Sequence, residues 1–140
     1  MTTRQRSLTE QNKTLVRRFV EEHDRRKTLP DEMCAPSYTL HFQRSPPMDL
    51  KGTKGLVEMM YAAFPDARHT LDDLIAEGDK VVMRITIRGT HKGDLMGITP
   101  TGKQVTMSGI DILRIAGGKV AEDWFVMDQL GLMQQIGAVP

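Results

Sequence analysis

Two stretches of strict apolar alternation limit what this chain can fold into. Over residues 81–91, Val81, Met83, Ile85, Ile87, Gly89 and His91 fall on one face, and Arg84, Thr86, Arg88 and Thr90 on the other. Over residues 105–115, one face carries Val105, Met107, Gly109, Asp111, Leu113 and Ile115. The opposite face carries Thr106, Ser108, Ile110, Ile112 and Arg114. A period of two belongs to strands, so both runs predict a sheet with one buried face. Asp111 sits in phase with the apolar residues of its run. An ionised carboxylate in that position is costly unless it is paired or functional.

The rest of the pattern places helices before the sheet. Ser7-Leu8-Thr9-Glu10 reads as a capping box, and Leu15, Val16, Phe19, Val20 and His23 recur at helical spacing. A first helix is predicted over 8–26, with residues 1–7 as a flexible tail. A helical turn near Asp31–Cys34 and a strand from Tyr38 to Gln43 follow. A second helix over 53–64 ends at Pro65, which cannot continue it comfortably. Strands are predicted over 68–76, 80–91, 103–115 and 119–127, with turns at Glu77-Gly78-Asp79 and Gly117-Gly118, and a short helix closes the chain. Helices early and an antiparallel meander late argue an α+β fold, with helices packed on one face of a curved sheet around a pocket. No linker or repeat divides residues 1–140, so one domain is expected.

Composition removes several function classes. With 19 basic and 18 acidic residues, the net charge of +1 gives no footprint for nucleic acid. The single cysteine, Cys34, forms no intrachain disulfide. Four histidines, none at close helical spacing, make no metal-site motif. No apolar run approaches a membrane span, and the polar start lacks the apolar core of a signal peptide, so a cytoplasmic protein is expected. Cys34 has no histidine partner in sequence, no serine sits in a nucleophile elbow, and Gly52-Thr53-Lys54-Gly55 lacks the spacing of a phosphate loop.

A two-residue turn at Gly117-Gly118 pairs Ile115 with Val120. In that register Asp111 faces Trp124, Leu113 faces Glu122, Gly109 faces Val126 and Met107 faces Asp128. A slip of one residue brings Asp123 and Phe125 to that surface instead of Glu122 and Trp124. Asp111 is the first catalytic candidate, because burial beside Met107 and Trp124 raises a carboxyl pKa toward the range useful for proton transfer. His91, at the end of its strand, is the second, as a partner for a ligand oxygen. Trp124, Met107, Met59, Phe64, His41, Glu122 and Asp128 are the expected substrate lining, although Asp128 also suits a helix N-cap. His69 receives no role. In the same register Ile110, Ile112, Phe125 and Met127 form an outward apolar strip, which predicts a homodimer or higher homo-oligomer.

The arrangement resembles the SnoaL-like polyketide cyclases, of the nuclear-transport-factor-2-like cone fold. The residues carrying the resemblance are Ala63-Phe64-Pro65-Asp66, Glu77-Gly78-Asp79, Gly89-Thr90-His91, the segment from Gly97 to Lys103, Gly118-Lys119, Asp128, Leu130-Gly131 and Gln135-Ile136-Gly137. The resemblance implies intramolecular aldol condensation on an apolar or aromatic ketone or ester, with no cofactor, no metal and no nucleic-acid or membrane partner. It also implies that the cyclases' strand histidine falls at Asp111 and their acid/base aspartate at Phe125, with Asp123 two residues earlier. The superfamily hosts several activities. A non-catalytic small-molecule binder, or a cofactor-free hydroxylase or hydrolase, is therefore the alternative.

Overall fold

The computed structural model describes residues 2–140. Three helices and five strands follow one another as α1 (Thr3–Arg26), β1 (Cys34–Phe42), α2 (Leu50–Ala63), β2 (Arg68–Glu77), β3 (Lys80–Thr90), β4 (Gln104–Ala116), β5 (Lys119–Met127) and α3 (Gln129–Gln135). A 3₁₀ turn, Asp31–Met33, enters β1. The α+β architecture matches the sequence reading.

α1 starts earlier than its pattern suggested. Thr2 and Gln5 form the capping box, each side chain bonding the other's backbone N–H, so residues 3–7 are helical. Met1 lies outside the described residues. α2 is capped by the Asp49 side chain, which accepts from the Gly52 N–H. No helix of the described residues is long and apolar enough to cross a membrane.

The sheet is curved and unclosed, in the order β1-β5-β4-β3-β2. It is mixed and not purely antiparallel, because β1 runs parallel to β5. That parallel pairing joins strands far apart in sequence, whose connection includes α2 and three other strands. α1 packs on β2 and β3, α2 on β1, and α3 on β4. The core fills the concave side with Val81, Met83, Ile85, Ile87, Val105, Met107, Leu113 and Ile115, together with Phe19, Phe64 and Tyr38. These strand residues are the apolar phases of the two alternations.

The register of β5 differs from the simple hairpin. Val120 pairs with Ile115 as expected, but Glu122 then pairs with Arg114, Asp123 with Leu113, Trp124 with Ile112 and Phe125 with Asp111. A bulge at Ala121 adds one residue, and Val120 and Ala121 both point inward. Everything beyond it changes face relative to the hairpin reading.

The loop after β3 is held on α2 by backbone alone. Lys92 and Gly93 donate to the Ala63 carbonyl, and a Cβ on Gly93 would stand 2.1 Å from the Ala62 oxygen. Backbone cannot yield as a side-chain tip can. Gly93→Ala should therefore lower stability by about 1–3 kcal/mol in urea denaturation. An unchanged midpoint would show that this close approach does not constrain the loop.

Candidate active site

Strand alternation turns Asp111 inward, and the β5 bulge turns Asp123 inward beside it. Asp111 stands between Met83 of β3 and Phe125 of β5, and Asp123 between Leu113 of β4 and Leu40 of β1. The two residues are 4% and 7% exposed, and their carboxyl groups hydrogen-bond to each other. Two carboxyl groups in hydrogen-bond contact and out of water do not both ionise readily, so one proton is shared between them. Burial and the charge of Asp123 hold Asp111 well above the usual carboxylate range. Burial pushes Asp123 up to about 6, offset by the hydrogen bond from Asp111 and by His41. On each acid one oxygen, Oδ1, has no protein partner. These are unfilled acceptor positions in a buried site.

The surroundings of the pair are apolar with one polar flank. Tyr38 is buried, and burial together with Asp123, Cys34 and Asp111 raises its hydroxyl, so it stays neutral. Thr53 of α2 neighbours that phenol, and its buried Oγ1 has no well-formed hydrogen bond. Cys34 is pushed up to about 12, mainly by burial, and is therefore a thiol and not a reactive thiolate. The Phe125 ring lies over Gly109, where a Cβ would meet it at 2.7 Å, and stacks on Phe42 at 5.3 Å. Gly109 is needed because any side chain there would displace that ring.

The other expected residues lie in several places. Met107 and Phe64 are buried on the concave side. Met59 is 57% exposed, because the α2 face turned to the sheet carries Thr53 and Tyr61 instead. Trp124, Glu122 and His41 occupy the convex face, opposite Asp111, as a consequence of the bulge. There His41 bonds Glu122 at 2.6 Å, Arg114 bonds Glu122 at 3.0 Å, and the His41 ring stacks on Trp124 at 5.3 Å. Asp128 caps α3, accepting from the Gly131 N–H at 2.9 Å.

His91 and Asp111 are not brought together. Met83 is the β3 residue opposite Asp111. From there to His91 the strand runs roughly 26 Å at about 3.3 Å per residue. His91 is fully buried; its Nδ1 meets Thr101, and its Nε2 has no protein partner. The residue missed as a primary candidate is Asp123. Its signal was present, since it lies two positions before Phe125 and shares that residue's face.

An open cleft of about 800 Å³ lies elsewhere, between α1 and the start of β2, with Arg17, Asp24, Arg68 and His69 among its walls. Neither acid of the pair lines it.

Residues 13–136 match the SnoaL-like polyketide cyclase family. The chain belongs to that family. It is 30% identical to the aklanonic acid methyl ester cyclase DauD of Streptomyces sp. strain C5 over 135 residues, covering 88% of this chain and 80% of the relative. It is 29% identical to the aklanonic acid methyl ester cyclase DnrD of Streptomyces peucetius, covering 88% of each chain. The crystal structure of AclR from Streptomyces galilaeus superposes with a TM-score of 0.87 at 28% identity, covering 94% of this chain and 88% of that one. This SnoaL-like protein thus carries a paired acid on its concave sheet.

The pair makes stability fall with pH. Both carboxyls hold their proton more tightly folded than unfolded, so above the unfolded value of about 4 the native state binds more protons. Stability is then lost as pH rises toward about 6, where Asp123 ionises. Asp111→Asn keeps the shape and removes the raised acid. It should flatten this decline and increase stability at alkaline pH, read by urea denaturation across a pH series. A variant profile parallel to the wild type would contradict the pairing.

Proposed function

We propose that this protein is a cofactor-independent polyketide cyclase, closing a ring by intramolecular aldol condensation with Asp111 and Asp123 as its acid/base pair. The buried, proton-sharing carboxyl pair carries this reading. Membership of the SnoaL-like family and the two aklanonic acid methyl ester cyclases among its relatives support the reaction class.

The chemistry follows from one carboxylate and one carboxylic acid. The carboxylate takes a proton from a carbon between two carbonyls of the substrate. The resulting enolate carbon attacks a ketone carbon of the same molecule; a C–C bond forms and the C=O π bond opens. The carboxylic acid protonates the new alkoxide. The substrate is isomerised, and the pair ends with the one proton it began with. Asp123, the more acidic member, is the base, and Asp111 is the acid. The neutral Tyr38 hydroxyl is available to the enolate oxygen.

Asp123→Asn and Asp111→Asn should each lower kcat for an anthraquinone-type methyl ester about 10²–10⁴-fold, with the fold retained by circular dichroism. Product mass spectrometry should show an isomer of the substrate. Full activity in both variants would remove the acid pair from the reaction. A product one oxygen heavier would replace cyclisation with hydroxylation.

The convex face supports a second element of the proposal, self-association. Ile110, Ile112 and Val126 are 44%, 36% and 55% exposed and lie beside Trp124. Phe125 and Met127, expected in this strip, point inward because of the bulge. An apolar strip on a sheet face favours a symmetric dimer. Sedimentation should find a dimer that Ile112→Glu weakens; a monomeric wild type at micromolar concentration would contradict it.

A further inference from the structure

The cleft between α1 and the start of β2 has an apolar floor of Val20, Pro65, Ala67 and Leu71. Charged groups from α1 and β2 surround that floor. The hydrogen bonds and ion pairs of the structure separate the groups already engaged from those left free for a ligand.

Two of the cleft's acids are fully engaged. Asp24 Oδ1 accepts from the Tyr61 hydroxyl at 2.7 Å and from His69 Nδ1 at 2.6 Å, and its Oδ2 accepts from the His69 backbone N–H at 2.8 Å. Asp66 accepts from the Thr90 N–H with one oxygen and from the Thr90 hydroxyl with the other, both at 2.7 Å. Arg25 pairs with Glu22. Arg17, Lys27 and Arg68 also line the cleft and make no ion pair among the described residues. Against these three cations stands Glu21, the one acid of the cleft without a partner among the described residues. The free charge is therefore positive.

Arg68 lacks an acid for a definite reason. In the β2–β3 register it lies directly opposite Arg88, which makes no ion pair either. Like charges opposite each other on a sheet repel. An anion beside Arg68 offsets that repulsion, and the guanidinium fork matches a carboxylate.

His69 supplies the complementary group. Three donors converge on the Asp24 carboxyl, the environment of an ionised acid. A carboxylate only accepts, so His69 carries a proton on Nδ1, and in the neutral ring its Nε2 is an acceptor. That Nε2 has no partner among the described residues and, unlike Nε2 of His91, is not sealed from solvent. His69 lines the cleft, so the lone pair is accessible from it. The ring is fixed by Asp24, and Asp24 in turn by Tyr61 and the His69 backbone, which preorganises the acceptor.

We propose that this cleft binds a small apolar organic anion that also carries a hydroxyl group. Arg68 and Arg17 take the anionic group, His69 Nε2 accepts from the hydroxyl, and the apolar floor holds the body of the ligand. Asp24 and Tyr61 are positioning residues, acting through His69. The site is separate from the acid pair on β4 and β5 and does not depend on the cyclase reading.

The test titrates the full chain with 3-hydroxybenzoate and 4-hydroxybenzoate, which differ in the spacing of the two groups, following the histidine ring resonances by NMR. At least one should bind saturably, with a Kd of about 1 mM or tighter for a ligand of this size, and should shift the His69 ring but not the His91 ring. Benzoate, lacking the hydroxyl, and phenol, lacking the charge, should each bind about 10-fold more weakly. Arg17→Gln and Arg68→Gln, both at exposed positions, should each weaken binding about 10-fold. Arg18→Gln, on α1 but outside the cleft, should leave it unchanged. No saturable binding of either probe, equal affinity for benzoate, undiminished binding in both cleft arginine variants, or shifts at His91 without shifts at His69 would overturn the proposal.

Discussion

Removing two carboxyl groups from water on one apolar sheet face is the constraint on which the account of this protein rests. A single buried carboxylate would simply take up a proton and become inert. Two in contact share one, and the low-dielectric surroundings separate their affinities. The sheet supplies that environment through features that have little other reason to coincide. Gly109 lets the Phe125 ring lie flat against β4. The Ala121 bulge brings Asp123 beside Asp111. Tyr38 closes the β1 side with a hydroxyl that cannot ionise near neutrality.

Most of the fold was legible because its strands keep their alternation over long stretches. β3 and β4 pair without interruption from Lys80 with Arg114 to Thr90 with Gln104; the inward phase of β3 was plain from sequence, while that of β4 was blurred by Ile110 and Ile112 on its other face. β5 was harder. Its first residues, Val120 and Ala121, are both apolar, and nothing in that pair announces which one is extra. The bulge reversed the facing of every later residue of β5, exchanging Trp124 and Glu122 for Asp123 and Phe125 on the face of Asp111. The start of α1 was misjudged for a different reason. Ser7–Glu10 satisfies the same capping pattern as Thr2–Gln5, and local sequence cannot choose between two valid boxes. The His23–Asp24–Tyr61–His69 network was invisible because its members are distant in the chain and meet only through the packing of α1 and α2 against β2.

The comparison with the family's cyclases becomes simpler once the register is known. The resemblance to the family implies an acid/base position at Phe125, and Asp123 lies two residues earlier. Residues two apart on a strand share a face. The acid therefore remains on the concave side, displaced by one step along β5, and needs no further change of register. The same resemblance implies a histidine at the position of Asp111, so that this chain would hold a carboxyl–carboxyl pair in place of a carboxyl–imidazole one. A carboxyl pair holds its shared proton without any positive charge, so the site stays compatible with an anionic enolate only while one acid is protonated. That requirement ties the proposed chemistry directly to the titration of the pair.

The most direct test is therefore titration of the aspartate side-chain carbons by NMR in the wild-type protein. The account predicts that Asp123 ionises near pH 6 and Asp111 well above the ordinary aspartate range, and that the two curves are coupled. Two independent ionisations near the ordinary aspartate value of about 4 would contradict it, because the carboxyls would then neither share a proton nor be removed from water.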